Sequence, residues 1–173
     1  MNQRSKIAIL GYGIEGQAMV KYLLAHDYFD ITICDQNVNL GDEVPEGIST
    51  ILGDKYLESL ADFDVVFRSP GIKYLEPLVQ SAKENGVEIS SPTAFFMDMC
   101  PCHVVGVTGT KGKWTTATLI YEMLKNAKKD VYLGGNIRES PMDFLDKLKK
   151  DSVVVLEMSS FQLQDMTKSP HVS

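Results

Sequence analysis

The chain has 173 residues, of which 44% are hydrophobic and 23% charged, and its formal net charge is −6. Such a composition is typical of a globular protein with a packed core, and the acidic balance argues against sequence-independent nucleic-acid binding, which needs a basic face. No apolar run approaches the ~20 residues that span a bilayer, and the amino terminus does not resemble a signal peptide. We therefore expect a cytoplasmic, monomeric protein that contacts neither nucleic acid nor membrane.

Three cysteines are present, Cys34, Cys100 and Cys102. So few thiols suggest a reducing compartment. The run Cys100-Pro-Cys102-His103 has some features of a metal site, but four ligands at the usual spacing are not available. Buried, reduced thiols are the favoured interpretation.

Short apolar strands alternate with amphipathic helices along the chain. Strands are predicted at 6–10, 30–34, 62–68, 87–89, 104–107, 131–133 and 153–157, and helices at 17–24, 76–84, 93–99, 117–124 and 142–148. This alternation is typical of parallel β-α units and predicts an α/β fold. We expect a Rossmann-like domain over residues 1–91. A second α/β domain over residues 92–173 has fewer strands than a nucleotide-binding domain usually needs, so we expect it to be incomplete.

The first glycine motif, Gly11-Tyr-Gly-Ile-Glu-Gly16, follows a strand and precedes a helix. Asp35 ends the next strand, 19 residues after Gly16. This spacing suits NAD, with the carboxylate on a ribose hydroxyl, and it also suits another nucleotide. A plain β–α turn is the third possibility, and the residues alone leave all three open.

The most informative segment runs from Val104 to Thr116, where a strand feeds a glycine-rich turn that opens into a helix. Gly109 and Gly112 permit the tight turn in which backbone N–H groups converge on phosphate oxygens, and Lys113 adds a full positive charge. The segment predicts a nucleoside triphosphate site. It departs from the general pattern in two places. Val107 stands where a glycine is usual, and Trp114 replaces the Ser or Thr whose hydroxyl binds Mg²⁺.

Taken together, four segments resemble the Mur ligase family of peptidoglycan synthesis. They are Gly11–Gly16, Ser69-Pro-Gly-Ile72, Gly109–Thr115, and Gly134-Gly-Asn-Ile137 followed by Leu156-Glu-Met-Ser-Ser-Phe-Gln-Leu163. The order and spacing of the four motifs together are specific to this family. The resemblance covers nearly all of the chain but only the first half of such an enzyme.

For the first domain, the resemblance implies a site for the uridine diphosphate of a nucleotide-linked muramyl substrate. The resemblance places Ile14 and Glu15 beside the diphosphate. It places Asp35, Gln36 and Asn37 near the uracil, and Ser69, Pro70 and Gly71 on the opposite side of the site. Glu15 does not fit easily, because a carboxylate repels a diphosphate unless a cation or water intervenes.

For the second domain, the resemblance implies ATP and Mg²⁺ as cofactors. ATP is expected on Gly109, Thr110, Lys111, Gly112, Lys113, Trp114 and Thr115. Glu157 is the expected metal ligand, although a strand-end carboxylate paired with Lys113 is an alternative. Lys113, Glu157 and Asn136 are the expected catalytic residues. Asn136 also matches a substrate residue, together with Ser159 and Gln162, whereas Met158 and Phe161 are expected in the core.

The activity implied by the resemblance is ATP-dependent amide-bond formation. A carboxylate of UDP-N-acetylmuramoyl-L-alanine would be phosphorylated to an acyl phosphate, which the amine of D-glutamate attacks. In the family a later His, a modified Lys and a third domain complete the site, so we expect this chain to be inactive alone. The alternatives are a non-catalytic nucleotide-binding module and an NAD-binding Rossmann protein.

Overall fold

The computed structural model describes residues 1–135 and 139–173. They form two compact units, Met1–Pro92 and Thr93–Ser173. Both units contain parallel β-sheets with helices in the connections. The predicted mixed α/β architecture is therefore confirmed.

The first unit contains a five-stranded parallel sheet in the order β3-β2-β1-β4-β5. Its strands are β1 (Ile7–Leu10), β2 (Ile31–Asp35), β3 (Ser49–Leu52), β4 (Val65–Arg68) and β5 (Glu88–Ser90). β1 and β4 are buried along their whole length, as expected for central strands of a parallel sheet. The chain runs outward from β1 to β3 and returns to the other side of β1 as β4. The strand order thus reverses between β1 and β4, where ligands bind in open α/β sheets.

Two α-helices belong to the first unit, α1 (Ile14–Ala25) and α2 (Pro77–Glu84). α2 begins with a proline, which suits the first helical position because its missing N–H would have no acceptor there. The helical spacing predicts that Leu78, Val79 and Ala82 face inward, and of these Val79 and Ala82 are buried. The prediction that Leu78 points inward is wrong, because that side chain is 41% exposed. Ala82 shares a helical face with Val79 through i, i+3 spacing and with Leu78 through i, i+4 spacing, so Leu78 lies at the exposed edge of the buried face.

The second unit contains a three-stranded parallel sheet in the order β6-β8-β7. Its strands are β6 (His103–Val107), β7 (Val131–Gly135) and β8 (Val153–Glu157), and its α-helices are α3 (Pro92–Met99) and α4 (Lys113–Asn126). β8 lies in the centre, and its last residue pairs with the last residue of each neighbour. The carboxyl ends of all three strands therefore meet at one edge of the sheet.

The predicted helix at 142–148 is wrong. Two short 3-10 turns, Pro141–Asp143 and Leu145–Lys147, occupy this stretch. Phe144 between them has φ −124° and ψ 3°, which departs from helical geometry. Its ring stacks on Tyr132 and lies where a Cβ atom on Gly134 would come within 2.7 Å. Packing of this ring therefore competes successfully with helix formation.

β3 is absent from the predicted elements. Its first two residues are exposed and its last two are half-buried, so the apolar pattern that identifies the other strands is weak here. Among the residues that the structure describes, no helix has the length and apolarity needed to cross a membrane. All three cysteines carry free thiols. Cys34 and Cys102 are buried as predicted, whereas Cys100 is half-buried.

Candidate functional site

The turn after β1 and the turn after β4 approach each other closely at the carboxyl edge of the first sheet. A Cβ atom on Gly11 would lie 2.6 Å from the Cβ of Ser69, and the φ of Gly11 is +93°. The Ser69 amide donates a hydrogen bond to the Leu10 carbonyl at 2.8 Å. Glycine is therefore required at position 11, both for its backbone conformation and for the contact between the two turns.

The remaining glycines of the first motif have different surroundings. A Cβ atom on Gly16 would lie 2.2 Å from the Gly11 carbonyl oxygen, so this glycine lets α1 pack closely against β1. A Cβ atom on Gly13, the residue before α1, would have no other atom within 4 Å. Ile14 is 73% exposed in the first turn of the helix, and Glu15 beside it is half-buried. The start of α1 is thus open to a ligand, with amide groups that have no acceptor inside the helix.

Asp35 ends β2, and its carboxylate accepts hydrogen bonds from the backbone of the β1–α1 turn and of the segment that follows β2. Its Oδ2 accepts a hydrogen bond from the Tyr12 amide at 2.6 Å, and its Oδ1 accepts one from the Asn37 amide at 2.7 Å. Both carboxylate oxygens therefore have backbone donors, which orients the side chain toward the β1–α1 turn. Gln36 and Asn37 are exposed beside it.

Arg68 is a residue whose importance the sequence prediction missed. It ends β4, is fully buried, and its guanidinium donates hydrogen bonds to the carbonyls of Ser69, at 3.3 Å, and Ile72. The same group lies 5.7 Å from the centre of the Tyr74 ring, within cation–π range. Arg68 thus fixes the Ser69–Ile72 turn from inside. An arginine at the end of an otherwise apolar strand was the available signal.

Residues 108–112, called the glycine loop below, connect β6 to α4. All five are exposed. Gly109 has φ +145°, and Gly112, the residue before α4, has the left-handed φ of +76°. No side chain caps α4, so the amide groups of its first turn have no side-chain acceptor at this cap. This strand–loop–helix geometry can bind an anion.

Glu157 lies at the end of β8, paired with Val107, the last residue before the glycine loop. It is 3% exposed, and its Oε2 has no hydrogen-bond partner among the described residues. Burial raises the pKa of this carboxyl above its ordinary value, and the positive charge of Lys113 acts in the opposite direction. A buried carboxylate in these surroundings is stabilised by a cation.

Of the two residues expected near Mg²⁺, Glu157 suits the metal and Trp114 does not. The Glu157 carboxylate offers the oxygen ligand that Mg²⁺ prefers. Trp114, half-buried in the first turn of α4, follows Lys113 where the general motif has a hydroxyl. Its indole can donate one hydrogen bond but offers no oxygen to a metal. Among the described residues, no group of three or more His, Cys, Asp or Glu side chains is placed to hold a metal ion.

Ser159 and Gln162 form a reciprocal pair of hydrogen bonds after β8. The Ser159 hydroxyl accepts from the Gln162 amide at 3.3 Å, and the Gln162 Oε1 accepts from the Ser159 amide at 2.7 Å. The Gln162 Nε2 donates to the Thr93 hydroxyl at 3.1 Å, and Gln162 is fully buried. This arrangement is a capping box, and it gives both residues a structural role.

Met158 and Phe161, both predicted to lie in the core, differ in burial. Met158 is buried, as predicted. The prediction for Phe161 is wrong, because its side chain is 59% exposed. Phe161 immediately precedes the 3-10 turn Gln162–Asp165, whose buried residue is Gln162. Asn136, predicted to contact substrate, lies outside the described residues.

Fold and site together define a two-unit parallel α/β protein with candidate binding loops at the carboxyl ends of its strands. Residues 5–91 match the family described as Mur ligase MurD-like, N-terminal domain, and residues 107–171 match the Mur ligase middle domain. The chain belongs to the Mur ligase family, which confirms the resemblance seen in the sequence.

Curated relatives match along nearly the whole chain. It is 38% identical to the UDP-N-acetylmuramoylalanine–D-glutamate ligase of Symbiobacterium thermophilum over 98% of this chain. It is 41% identical to the enzyme of the same name from Acetivibrio thermocellus over 99% of this chain. In both comparisons the chain spans 38% of the relative's length.

Solved structures support the fold. One is UDP-N-acetylmuramate:L-alanyl-gamma-D-glutamyl-meso-diaminopimelate ligase from Neisseria meningitides, with a TM-score of 0.52 and 19% identity over 88% of this chain and 52% of that one. Another is a murein peptide ligase from Psychrobacter arcticus, with a TM-score of 0.52 and 20% identity over 88% of this chain and 37% of that one. At these identities the likeness concerns the fold alone.

Proposed function

We propose that the chain is the amino-terminal part of an ATP-dependent ligase that joins D-glutamate to UDP-N-acetylmuramoylalanine. The observation that carries this proposal is the position of Glu157. A buried carboxylate ends the strand next to the one that enters the glycine loop, in a chain related over nearly its full length to ligases of that name. A phosphate-binding loop beside a metal-binding carboxylate is the arrangement that phosphoryl transfer requires.

The first unit, residues 1–91 in this proposal, binds the uridine diphosphate end of the muramyl substrate. The amides at the start of α1, near Ile14 and Glu15, are donors for the diphosphate. Gln36 and Asn37 are exposed next to Asp35 and suit contacts with the base. The Ser69-Pro70-Gly71 turn, fixed by the buried Arg68, forms the opposite side.

The second unit, residues 92–173, binds ATP through residues 109–115. The glycine-loop amides and Lys113 surround the phosphates, and Glu157 holds Mg²⁺ directly or through water. When bound, ATP and Mg²⁺ supply the phosphoryl group that activates the substrate carboxylate, together with charge neutralisation.

The residues of this second site have separate roles in the proposed reaction. Lys113 stabilises negative charge on the transferring group, and the loop amides orient it. Ser159 and Gln162 hold the segment after β8 in place, and Asn136 contacts the substrate in this proposal. D-glutamate would attack the acyl phosphate formed on the substrate carboxylate.

Because the chain spans 38% of its curated relatives, we expect the 173-residue chain to bind substrate without turning it over. The assay combines the chain with ATP, Mg²⁺, D-glutamate and UDP-N-acetylmuramoylalanine. Binding of the muramyl nucleotide should be saturable by calorimetry, with no phosphate release coupled to product. Absence of nucleotide binding would overturn the proposed function, whereas product formation above a control without protein would overturn the proposed inactivity.

A matched pair of variants tests where the nucleotide binds. Gly11 and Gly86 have nearly the same φ, +93° and +92°, but a Cβ atom would meet Ser69 at position 11 and no atom within 4 Å at position 86. Gly11→Ala should therefore displace the Ser69 turn and weaken nucleotide binding at least about tenfold, or about 1.4 kcal/mol. Gly86→Ala should leave affinity unchanged. Equal affinities for the two folded variants would contradict the assignment.

A further inference from the structure

Two cysteines that have no role in the proposed function lie close together in the second unit. Cys100 and Cys102 precede β6, at the opposite end of that strand from the glycine loop. Their sulfur atoms are 3.6 Å apart, and both thiols are free. A disulfide bond requires about 2.05 Å, so a sulfur displacement of roughly 1.5 Å would join them.

Both cysteines line a pocket of about 150 Å³, together with His103, Lys150, Lys168 and His171. The His103 and His171 rings meet edge to face, with centroids 4.7 Å apart. His171 is fixed by its Nδ1, which accepts a hydrogen bond from the Val104 amide at 3.1 Å. The positive charges of Lys150 and Lys168 make the pocket favourable for anionic molecules and for a thiolate.

The two thiols differ in exposure. Cys102 is 5% exposed, whereas Cys100 is half-buried. Burial raises the pKa of the Cys102 thiol to about 12, with further contributions from Cys100 and from the negative charge of Asp130. Burial therefore favours the protonated form of Cys102, whose sulfur lies within hydrogen-bond distance of the Cys100 sulfur. In a dithiol the more exposed sulfur, stabilised by its neighbour's S–H, is the better nucleophile.

We propose that Cys100 and Cys102 form a redox-active dithiol that reacts with small anionic disulfides in this pocket, with Cys100 as the attacking thiol. Neither residue belongs to the nucleotide sites proposed above, so this inference is independent of the proposed function.

The reaction balances with a disulfide, RSSR, as the oxidant. The Cys100 thiol loses its proton and its sulfur attacks one sulfur of RSSR, which breaks that S–S bond and releases RS⁻, which takes up the proton as RSH. Cys102 then loses its proton and attacks the Cys100 sulfur, which forms the Cys100–Cys102 bond and releases the second RSH. Two thiols are oxidised and one disulfide is reduced to two thiols.

The first test incubates the 173-residue chain with oxidised glutathione, followed by acid quenching, alkylation and tryptic mass spectrometry. Cys100 and Cys102 share the tryptic peptide 84–111, and Cys34 lies in the separate peptide 22–55. We expect peptide 84–111 to lose two hydrogens and to resist alkylation, reversibly with dithiothreitol, while Cys34 remains alkylated. Oxidation of Cys34 at a similar rate, or no intramolecular disulfide in the folded chain, would overturn the proposal.

Single substitutions test the order of attack. Cys102→Ser should accumulate a stable mixed disulfide with glutathione at Cys100, whereas Cys100→Ser should leave Cys102 unreacted. The matched control Cys34→Ser should react like the unmodified chain. If Cys100→Ser is modified at Cys102 as fast as the unmodified chain is modified at Cys100, the assignment of the attacking thiol is wrong.

Charge substitutions test the pocket. The double variant Lys150→Gln, Lys168→Gln should slow the reaction with oxidised glutathione about tenfold, the lower end of electrostatic steering. Its reaction with the neutral hydroxyethyl disulfide should keep the rate of the unmodified chain. An equal decrease for both disulfides, or no decrease for either, would show that the pocket does not select anionic disulfides.

Discussion

Gly135 and Glu157 are paired at the carboxyl ends of β7 and β8, where a Cβ atom on Gly135 would lie 2.0 Å from the Glu157 carbonyl oxygen. Gly135 also has φ +122°, a conformation that favours glycine. On its other side Glu157 pairs with Val107, which leads into the glycine loop. The backbone that carries the buried carboxylate is therefore held from both neighbouring strands.

Substitution of Gly135 should be costly for this reason. Gly135→Ala combines an unfavourable φ with a backbone clash, so the free energy of unfolding should fall by at least about 2 kcal/mol. Gly112→Ala is the control in the same unit, since Gly112 has φ +76° but no atom within 4 Å of an added Cβ. Its cost should be about 1 kcal/mol. Urea unfolding measures both, and equal losses would contradict the role of the Gly135 contact.

Removing the charge of Glu157 should change how stability depends on pH. Because burial raises its pKa in the folded state, the folded state binds this proton more tightly than the unfolded state. The contribution of Glu157 to stability should therefore fall as pH rises from its ordinary pKa of 4.5 through the raised value. Glu157→Gln removes that decrease, so without ligand the variant should be the more stable at neutral pH.

Unfolding curves of both proteins between pH 4 and pH 8 test this expectation. The difference in stability between variant and unmodified chain should grow with pH and vanish at the acidic end. A constant difference would show that Glu157 does not titrate with a raised pKa. Mg²⁺-dependent ATP binding should weaken in the same variant, because the proposed metal ligand has lost its charge.

Trp114→Ser should strengthen Mg²⁺-dependent ATP binding. Serine restores a hydroxyl ligand at the start of α4 and removes bulk beside Lys113. An additional ligand on the scale of a hydrogen bond to a charged group, about 1–3 kcal/mol, corresponds to roughly ten- to hundredfold in affinity. The gain should shrink when Mg²⁺ is chelated and vanish in a Lys113→Ala background. Equal ATP affinities of the two folded proteins in Mg²⁺ would contradict the proposed alignment of this loop.

Gln162 should matter for stability, whatever its contact with substrate. Gln162→Ala removes the side-chain hydrogen bonds of Gln162 with the Ser159 amide and with the Thr93 hydroxyl, at an expected cost of about 1–3 kcal/mol. Gln164→Ala is the matched control, because Gln164 is exposed in the same 3-10 turn. Thermal unfolding of both variants is the measurement. Equal midpoints would show that the capping box contributes little.

The sequence predicted the elements whose residues carry a strong local signal. β1 is a run of buried apolar residues, and β4 and β8 are apolar up to their last residue. The glycine motifs mark the turns that follow β1 and β6. β3 was missed because half of it is exposed and only four residues are involved. The helix expected at 142–148 does not form, because the Phe144 ring packs against Tyr132 in a conformation that interrupts it. That contact joins residues distant in sequence, and local periodicity does not report it.

In the candidate sites too, residues with a local sequence signal could be predicted, and those brought together by tertiary packing could not. Gly11, Gly109 and Gly112 could be recognised because their spacing has a backbone cause. Arg68 at the end of an apolar strand was a signal in the sequence, but its burial and its hydrogen bonds to the Ser69 and Ile72 carbonyls result from tertiary packing, which local sequence does not report. The pocket around Cys100 joins His103 to Lys168 and His171, which lie more than 60 residues later in the sequence. Only the parallel pairing of β6 with β8 and the return of the final residues to β6 bring them together.

The uridine-nucleotide site of the first unit is tested most sharply by titrating the 173-residue chain with UDP and, separately, with NAD, and by monitoring each titration by calorimetry and amide chemical shifts. A ligase substrate site in the first unit predicts tighter binding of UDP, with shifts at residues 11–16, Asp35 and Ser69. NAD binding at least as tightly as UDP, with shifts centred on Asp35, would contradict the assignment of this unit to a uridine nucleotide.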